Sequence, residues 1–438
     1  MKDIQNIKEN IINLVKEYSD LNFQSMKFVP GESVIPPSGK VIDHEEITNI
    51  VLSGLDAWLT SGNYNSEFEK KLSNFLGIKY LLTTNSGSSA NLIAFSALTS
   101  RALGERAINE GDEVITVAAG FPTTVNPIIQ NKAIPVFVDV DLHTHNVDVR
   151  NLYNALSKKT KAVMMAHSLG NPFNLNVVVD FCKKNNLWLI EDNCDALGSR
   201  YNDQLTGTFG DIGTLSFYPA HHITMGEGGA VFTNNFELKK IIESFRDWGR
   251  DCYCSPGKDN TCGKRFEWKL GDLPYGYDHK YVYSHMGYNL KITDMQAACG
   301  LAQLNKLDSF IQKRKDNFTF LYERLTSCKD FINLPRATDN SDPSWFGFPI
   351  TLKENSPIER KDIVSYLNQK NIGTRYLFAG NLTKQPYMSN VNYRVSGSLK
   401  NTDHIMSNTF WIGLYPGLSE EMLDFSCKKI EEILGVSF

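Results

Sequence analysis

Between residues 80 and 233 the chain repeats one unit: a short apolar run, a turn rich in Gly, Ser, Asn or Asp, then a stretch of helical periodicity. Residues 80–83, 113–117, 135–138, 162–166, 187–191, 214–218 and 229–233 have the length and composition of strands. Residues 89–103, 147–156 and 175–184 between them space their apolar side chains for helices. This alternation predicts an α/β layer with a mostly parallel sheet, because parallel strands need crossovers and both faces need cover. In such sheets ligands bind at the carboxyl ends of the strands. Chemistry is therefore sought in the turns that follow the apolar runs.

The flanks read differently. Ile4, Ile7, Ile11, Leu14 and Val15 lie at helical spacing near the start, and a Gly/Pro/Ser stretch over 30–40 follows. Ser66 and Glu69 resemble a capping box for a helix carrying Phe68, Leu72, Phe75 and Leu76, with Gly77 as its stop. Residues 251–284 break the rhythm, being dense in Cys, Gly, Tyr and Lys. Thr293 and Gln296 cap a long helix, and from about 345 a second unit follows, with strands at 346–352 and 409–413 and helices at 358–369 and 419–434. The expected division is an N-terminal helical arm over 1–55, a large domain over 56–300 with a cysteine-rich insertion at 251–284, and a small domain over 301–438.

Charge narrows the function classes. Lys and Arg number 45 against 49 Asp and Glu, so no bulk field draws the chain to nucleic acid or an anionic membrane. The longest charge-free stretches, 81–100 and 114–131, are rich in Ser, Thr and Asn, and the second holds Pro122 and Pro127, so neither reads as a spanning helix. No uninterrupted apolar run follows Lys2, which argues against a signal peptide and for a cytoplasmic protein.

The strand-end turns carry the chemistry. Ser86-Gly87-Ser88-Ser89-Ala90 follows a strand and opens a helix, a geometry that gathers N–H groups and hydroxyls around an anion. Its plainer reading is an ordinary N-cap. Asp192 ends another strand, where a carboxylate can hold a ring nitrogen protonated. Phe121 could stack on a flat ring, although a lone Phe is more often core. Ser216 adds a hydroxyl at a further strand end. Their order along successive strand ends favours a pyridoxal-phosphate site. Cys194, Cys252, Cys254 and Cys262 have the spacing C-x57-C-x-C-x7-C, neither the usual zinc nor the plant ferredoxin pattern. From the residues alone, an iron–sulfur cluster, a structural zinc or no site all remain open. Cys182, Cys299, Cys328 and Cys427 read as small buried hydrophobes.

The sequence resembles the sugar aminotransferase and dehydratase family of pyridoxal-phosphate proteins, with the aspartate-aminotransferase-type fold. The resemblance is carried by residues 84–91, 111–115, 190–192, 226–230 and 287–298. It implies a large domain with a mostly parallel seven-stranded sheet and a smaller C-terminal α/β domain. It implies further that Gly87, Ser88 and Ser216 hold the cofactor phosphate, that Phe121 stacks on the pyridine, and that Asp192 pairs with the ring nitrogen. Asn289 matches the residue that such enzymes extend to the partner's phosphate, which implies a homodimer. Asp195 stands where many relatives have Gln beside the ring hydroxyl.

One position departs from the family's aminotransferases. Where they carry the Schiff-base Lys, five residues beyond Ser216, this chain has His221. Imidazole cannot tether the cofactor covalently, but near neutral pH it can accept and return a proton. The site therefore suits non-covalent pyridoxamine 5'-phosphate, with His221 as acid and base; His222 either lines the pocket or contacts substrate. With the cysteine spacing, the resemblance narrows to the 3-dehydrases of CDP-4-keto-6-deoxy-D-glucose. It implies a [2Fe–2S] cluster on Cys194, Cys252, Cys254 and Cys262, electrons from a flavin/iron–sulfur NAD(P)H reductase, and a place in 3,6-dideoxyhexose synthesis for surface polysaccharide. Thr374, Arg375, Tyr376 and Asn381 resemble the sugar-contacting region, with Arg375 facing a diphosphate. The nearest alternative is a cluster-free nucleotide-sugar 3-dehydratase that completes deoxygenation by deamination; a regulator that has lost catalysis with its Lys is a third reading.

Overall fold

The computed structural model describes residues 2–23, 27–254 and 257–436. The apolar runs form β1 (Tyr80–Thr84), β2 (Glu113–Val117), β3 (Ile134–Val138), β4 (Thr160–Ala166), β5 (Trp188–Asp192), β6 (Ile212–Ser216) and β7 (Gly229–Thr233). They make one sheet in the order β1-β7-β6-β5-β4-β2-β3, and a short strand, β8 (Arg394–Val395), pairs with β3 at the edge. The sheet is therefore eight-stranded rather than seven-stranded. The added strand comes from far along the chain and is pinned by Arg394, whose Nη2 donates to Glu113 Oε2 at 2.7 Å. All pairings are parallel except those of β7, which runs antiparallel to β1 and β6.

Both faces are covered, which explains why these strands read as continuous apolar runs. In β2, Val114 enters a core with Ile93, Phe95, Leu238 and Ile241, while Ile115 enters the opposite core with Leu175, Val178 and Phe181. The first face is closed by helices Gly87–Ala97 and Phe236–Arg246, the second by Leu175–Lys184. Two expected helices are shorter than their periodicity suggests: 89–103 ends at Ala97, and 147–156 resolves into the short turns Val149–Asn151 and Leu152–Ala155.

The helix expected to be capped by Ser66 spans Asn63–Leu76 and starts before it. Its first N–H groups, those of Gly62, Tyr64 and Asn65, donate to the carboxylate of Asp294. Asp294 follows Thr293, which with Gln296 forms the expected capping box of the long helix Asp294–Leu325. That helix leads to an antiparallel sheet ordered Ile332–Asn333, Phe348–Leu352, Thr409–Ile412, Thr374–Tyr376. Phe348, Ile350, Phe410 and Ile412 pack there against Leu321 and Leu325. At the N-terminus, helix Lys2–Asn22 leaves Ile4, Ile7 and Leu14 exposed. Among the described residues no helix is long and apolar enough to cross a membrane.

Candidate active site

The carboxyl ends of the strands border a cavity of about 670 Å³, within the range that holds a cofactor and part of a substrate. Ser86, Gly87 and Ser88 enter it after β1, Phe121 after β2, Asp192, Cys194 and Asp195 at and after β5, and Ser216 and His221 at and after β6. Ser216 is the last residue of β6, two residues before the end of the apolar run. The chain turns there, with Phe217 N donating to Gly228 O at 2.8 Å, and this turn carries His221 to the cavity wall.

Gly87 is dictated by close approach. A Cβ there would lie 2.4 Å from Ser216 Cβ, so only glycine lets the N-terminus of helix Gly87–Ala97 abut the end of β6. Ser86 caps that helix, its Oγ accepting from Ser89 N at 3.0 Å. The remaining N–H groups of the first turn, with the hydroxyls of Ser88 and Ser216, form a donor set suited to a phosphate. Asp192 is held in a network that sequence reading did not find. Its Oδ2 accepts from Asn91 Nδ2 and Thr124 Oγ1, both at 2.7 Å, and Thr214 Oγ1 donates to Asn91 Oδ1 at 2.7 Å. Phe121 stands half exposed beside it, edge-on to Phe378 at 5.9 Å. An oriented buried carboxylate, an aromatic ring and a phosphate cradle fit pyridoxal or pyridoxamine phosphate.

His221 Nδ1 and Asp195 Oδ1 lie 3.5 Å apart without a hydrogen bond. Burial lowers the imidazole to about 4, against the charge of Asp192, while the buried Arg314 adds to the lowering. Burial, then the charge of Asp192, pushes Asp195 up to about 8. Both groups are thus favoured in their neutral forms near pH 7. His222 does not line the cavity; its Nε2 donates to Ser344 O at 2.8 Å, and burial holds its imidazole well below the usual range. That position leaves it no contact with a substrate in the cavity.

Arg375, Tyr376, Phe346, Phe378 and Trp411 also line the cavity, Arg375 and Tyr376 being exposed, as does buried His145, which sequence reading passed over. Asn381 is buried elsewhere, donating to Asp403 Oδ1 at 2.7 Å. Asn289 is exposed and outside the cavity, its backbone bridged to Asp247.

The four cysteines line two different clefts. Cys194 sits in the wall of the main cavity, its buried thiol raised by desolvation and by the charge of Asp192. Cys252, Cys254 and Cys262 line a separate cleft with Arg265, His279 and Lys280. Among the described residues no group of three or more His, Cys, Asp or Glu is arranged to hold a metal ion. The expected four-thiol cluster is therefore not supported by this arrangement, in which one thiol lines the cofactor cavity and three line the cleft of the insertion.

Residues 41–431 match the model of the DegT/DnrJ/EryC1/StrS aminotransferase family. The chain is 63% identical over 433 residues to lipopolysaccharide biosynthesis protein RfbH of Salmonella typhimurium, covering 99% of each. It is 48% identical over 434 residues to a dTDP-4-dehydro-2,6-dideoxy-D-glucose 3-dehydratase of Saccharopolyspora spinosa, covering 99% of this chain and 94% of that one. Among solved structures, E. coli GDP-4-keto-6-deoxy-D-mannose-3-dehydratase with bound hydrated PLP superposes with a TM-score of 0.80 at 27% identity, over 90% of this chain and 98% of that one. A family match over most of the length, relatives similar end to end and a shared fold carry one conclusion: this chain is an enzyme of the DegT/DnrJ/EryC1/StrS aminotransferase family.

Proposed function

We propose that the chain is a pyridoxamine-phosphate-dependent nucleotide-sugar 3-dehydratase, cytoplasmic and homodimeric, that removes the C3 hydroxyl of a nucleotide-linked 4-keto-6-deoxyhexose for surface polysaccharide. The observation that carries the reading is His221 on the turn after Ser216, within 3.5 Å of Asp195 and facing the same cavity as Asp192. A side chain that cannot anchor an aldehyde stands where a Lys would be needed for transamination. The names of the 3-dehydratase relatives support the same assignment.

When bound, the cofactor supplies an amine that condenses with the C4 ketone and a conjugated ring that carries electrons. The first turn of helix Gly87–Ala97, Ser88 and Ser216 hold its phosphate. Asp192, oriented by Asn91 and Thr124, keeps the ring nitrogen protonated, and Phe121 covers the ring. His221, neutral near pH 7, would take a proton from the cofactor's methylene carbon and return one to the oxygen leaving C3, which would depart as water. Asp195, kept protonated near pH 7 by burial, stands 3.5 Å from Nδ1 and adds no second charge beside the imidazole. Arg375 at the mouth suits a diphosphate, and exposed Asn289, unable to reach its own cavity, suits the cavity of a second copy.

Two completions of the deoxygenation remain. The separation of Cys194 from the other three cysteines favours the cluster-free one, ending in deamination. The cleft that Cys252, Cys254 and Cys262 share with two cations favours the CDP-4-keto-6-deoxy-D-glucose enzyme, with a [2Fe–2S] cluster and an NAD(P)H-dependent reductase. Iron and acid-labile sulfide in equal amounts, in protein purified without oxygen, select the second; their absence selects the first. The test of the common reading is oxygen-18 exchange at C3 of CDP-, dTDP- and GDP-4-keto-6-deoxyhexoses in labelled water, with pyridoxamine phosphate supplied. Exchange with at least one nucleotide is expected; none with any of them overturns the reading.

A further inference from the structure

Arg314 takes no part in the reading above, yet its side chain has no exposed surface. It lies on the long Asp294–Leu325 helix between Lys313 and Lys315, both partly exposed. A buried charge persists only where hydrogen bonds satisfy it. Arg314 directs its two terminal nitrogens at main-chain carbonyls, leaving Nε without a partner: Nη1 donates to Trp345 O at 3.1 Å and Phe346 O at 3.2 Å, and Nη2 donates to His221 O at 3.2 Å.

Those carbonyls belong to the two segments that hold the imidazole. One is the turn of His221 itself. The other carries Phe346, whose ring centroid lies 5.1 Å from that of His221. The neighbouring His222 ties the same segments together through Ser344 O. A planar fork with donors in fixed directions sets the spacing of two backbone segments, which a flexible ammonium does not.

We propose that Arg314 is a positioning residue for His221, clamping the His221 carbonyl to those of Trp345 and Phe346 so that the imidazole keeps its aim into the cavity. What His221 does there rests on the dehydratase reading; where it is held does not. The consequence is specific. Proton transfer depends on sub-ångström placement, whereas Gly87 and Ser88 belong to the helix after β1 and Ser216 is fixed within the sheet as the last residue of β6, so loss of the clamp lowers turnover and spares binding.

The test compares Arg314→Met and Arg314→Lys with the wild type in two measurements. Hydrogen–deuterium exchange of the cofactor-free protein is expected to rise in peptides covering 217–223 and 343–347, and to stay unchanged in β1 to β5. Steady-state dehydration is expected to show kcat reduced ~100-fold in the Met variant with KM nearly unchanged, and a partial recovery of both readouts in the Lys variant. Wild-type exchange in both segments, or KM rising in step with the fall in kcat, overturns the proposal. If Arg314→Met does not fold, Arg314→Lys is set against Phe346→Leu, which removes the ring contact and keeps the clamp; a greater loss of kcat in Phe346→Leu also overturns it. If the wild type dehydrates no ketosugar, the functional reading fails while the exchange data still decide the role of Arg314.

Discussion

His221 Nδ1 and Asp195 Oδ1 stand 3.5 Å apart on the turns that follow the adjacent strands β6 and β5. Burial acts on the two in opposite senses, lowering the imidazole and raising the carboxyl, so the pair avoids carrying two charges in the cavity. A proton reaching His221 therefore arrives beside a carboxyl that burial keeps protonated near pH 7, so the imidazole and not Asp195 carries it.

Replacing His221 by Asn should reduce dehydration about 10²–10⁴-fold while cofactor binding persists, since the amide keeps polarity but cannot cycle a proton. His221→Lys should instead attach the aldehyde form covalently. Borohydride reduction and peptide mapping check this; an unlabelled position 221 would mean that the turn after Ser216 does not face the cofactor.

Gly87→Ala tests the phosphate cradle. Its Cβ would sit 2.4 Å from Ser216 Cβ, and relieving that contact costs about 1–3 kcal/mol. Cofactor affinity, followed by absorbance titration, should fall about tenfold or more. Unchanged affinity would separate this glycine from cofactor binding.

Asn91→Ala should act through Asp192. The substitution leaves Thr214 Oγ1 without its acceptor and removes one donor from Asp192, a change worth roughly 1–3 kcal/mol in a buried network. Both the midpoint of urea unfolding and cofactor affinity should drop. Loss of stability alone would confine Asn91 to a structural role.

His145 makes acid stability testable. Burial lowers its imidazole from 6.5 to about 4, so the unfolded chain binds a proton in a window where the folded chain does not. Stability present above pH 6.5 is then lost as pH falls toward 4, by ~2 kcal/mol between pH 7 and 5 for this group. Asn tolerates the left-handed backbone at this position, where φ is +57°. In His145→Asn the drop in unfolding free energy from pH 7 to 5 should shrink by about that amount; an unchanged drop would show that His145 is protonated in the folded state.

What the sequence disclosed follows the range of the interactions. Strand ends and the turns at Ser86, Asp192 and Ser216 were legible because they depend on local pattern. The capping box at Thr293 was legible for the same reason, whereas the cap of helix Asn63–Leu76 was not, because Asp294 supplies it across 230 residues. Asn91, Thr124 and Thr214 meet Asp192 only through the sheet, and Arg314 meets His221 only through the long helix, so no local signal marks them. Cysteine spacing left a cluster, a zinc or no site open, and only the family resemblance implied four thiols on one cluster; spacing carries no distance, and the fold lines one pocket with Cys194 and another with the other three.

The most direct measurement is the product of a single turnover with a nucleotide-linked 4-keto-6-deoxyhexose and pyridoxamine phosphate, run with and without an added electron donor and identified by NMR. A sugar lacking the C3 hydroxyl is the predicted result, abolished in His221→Asn. A 4-amino sugar that keeps its C3 hydroxyl would contradict the account.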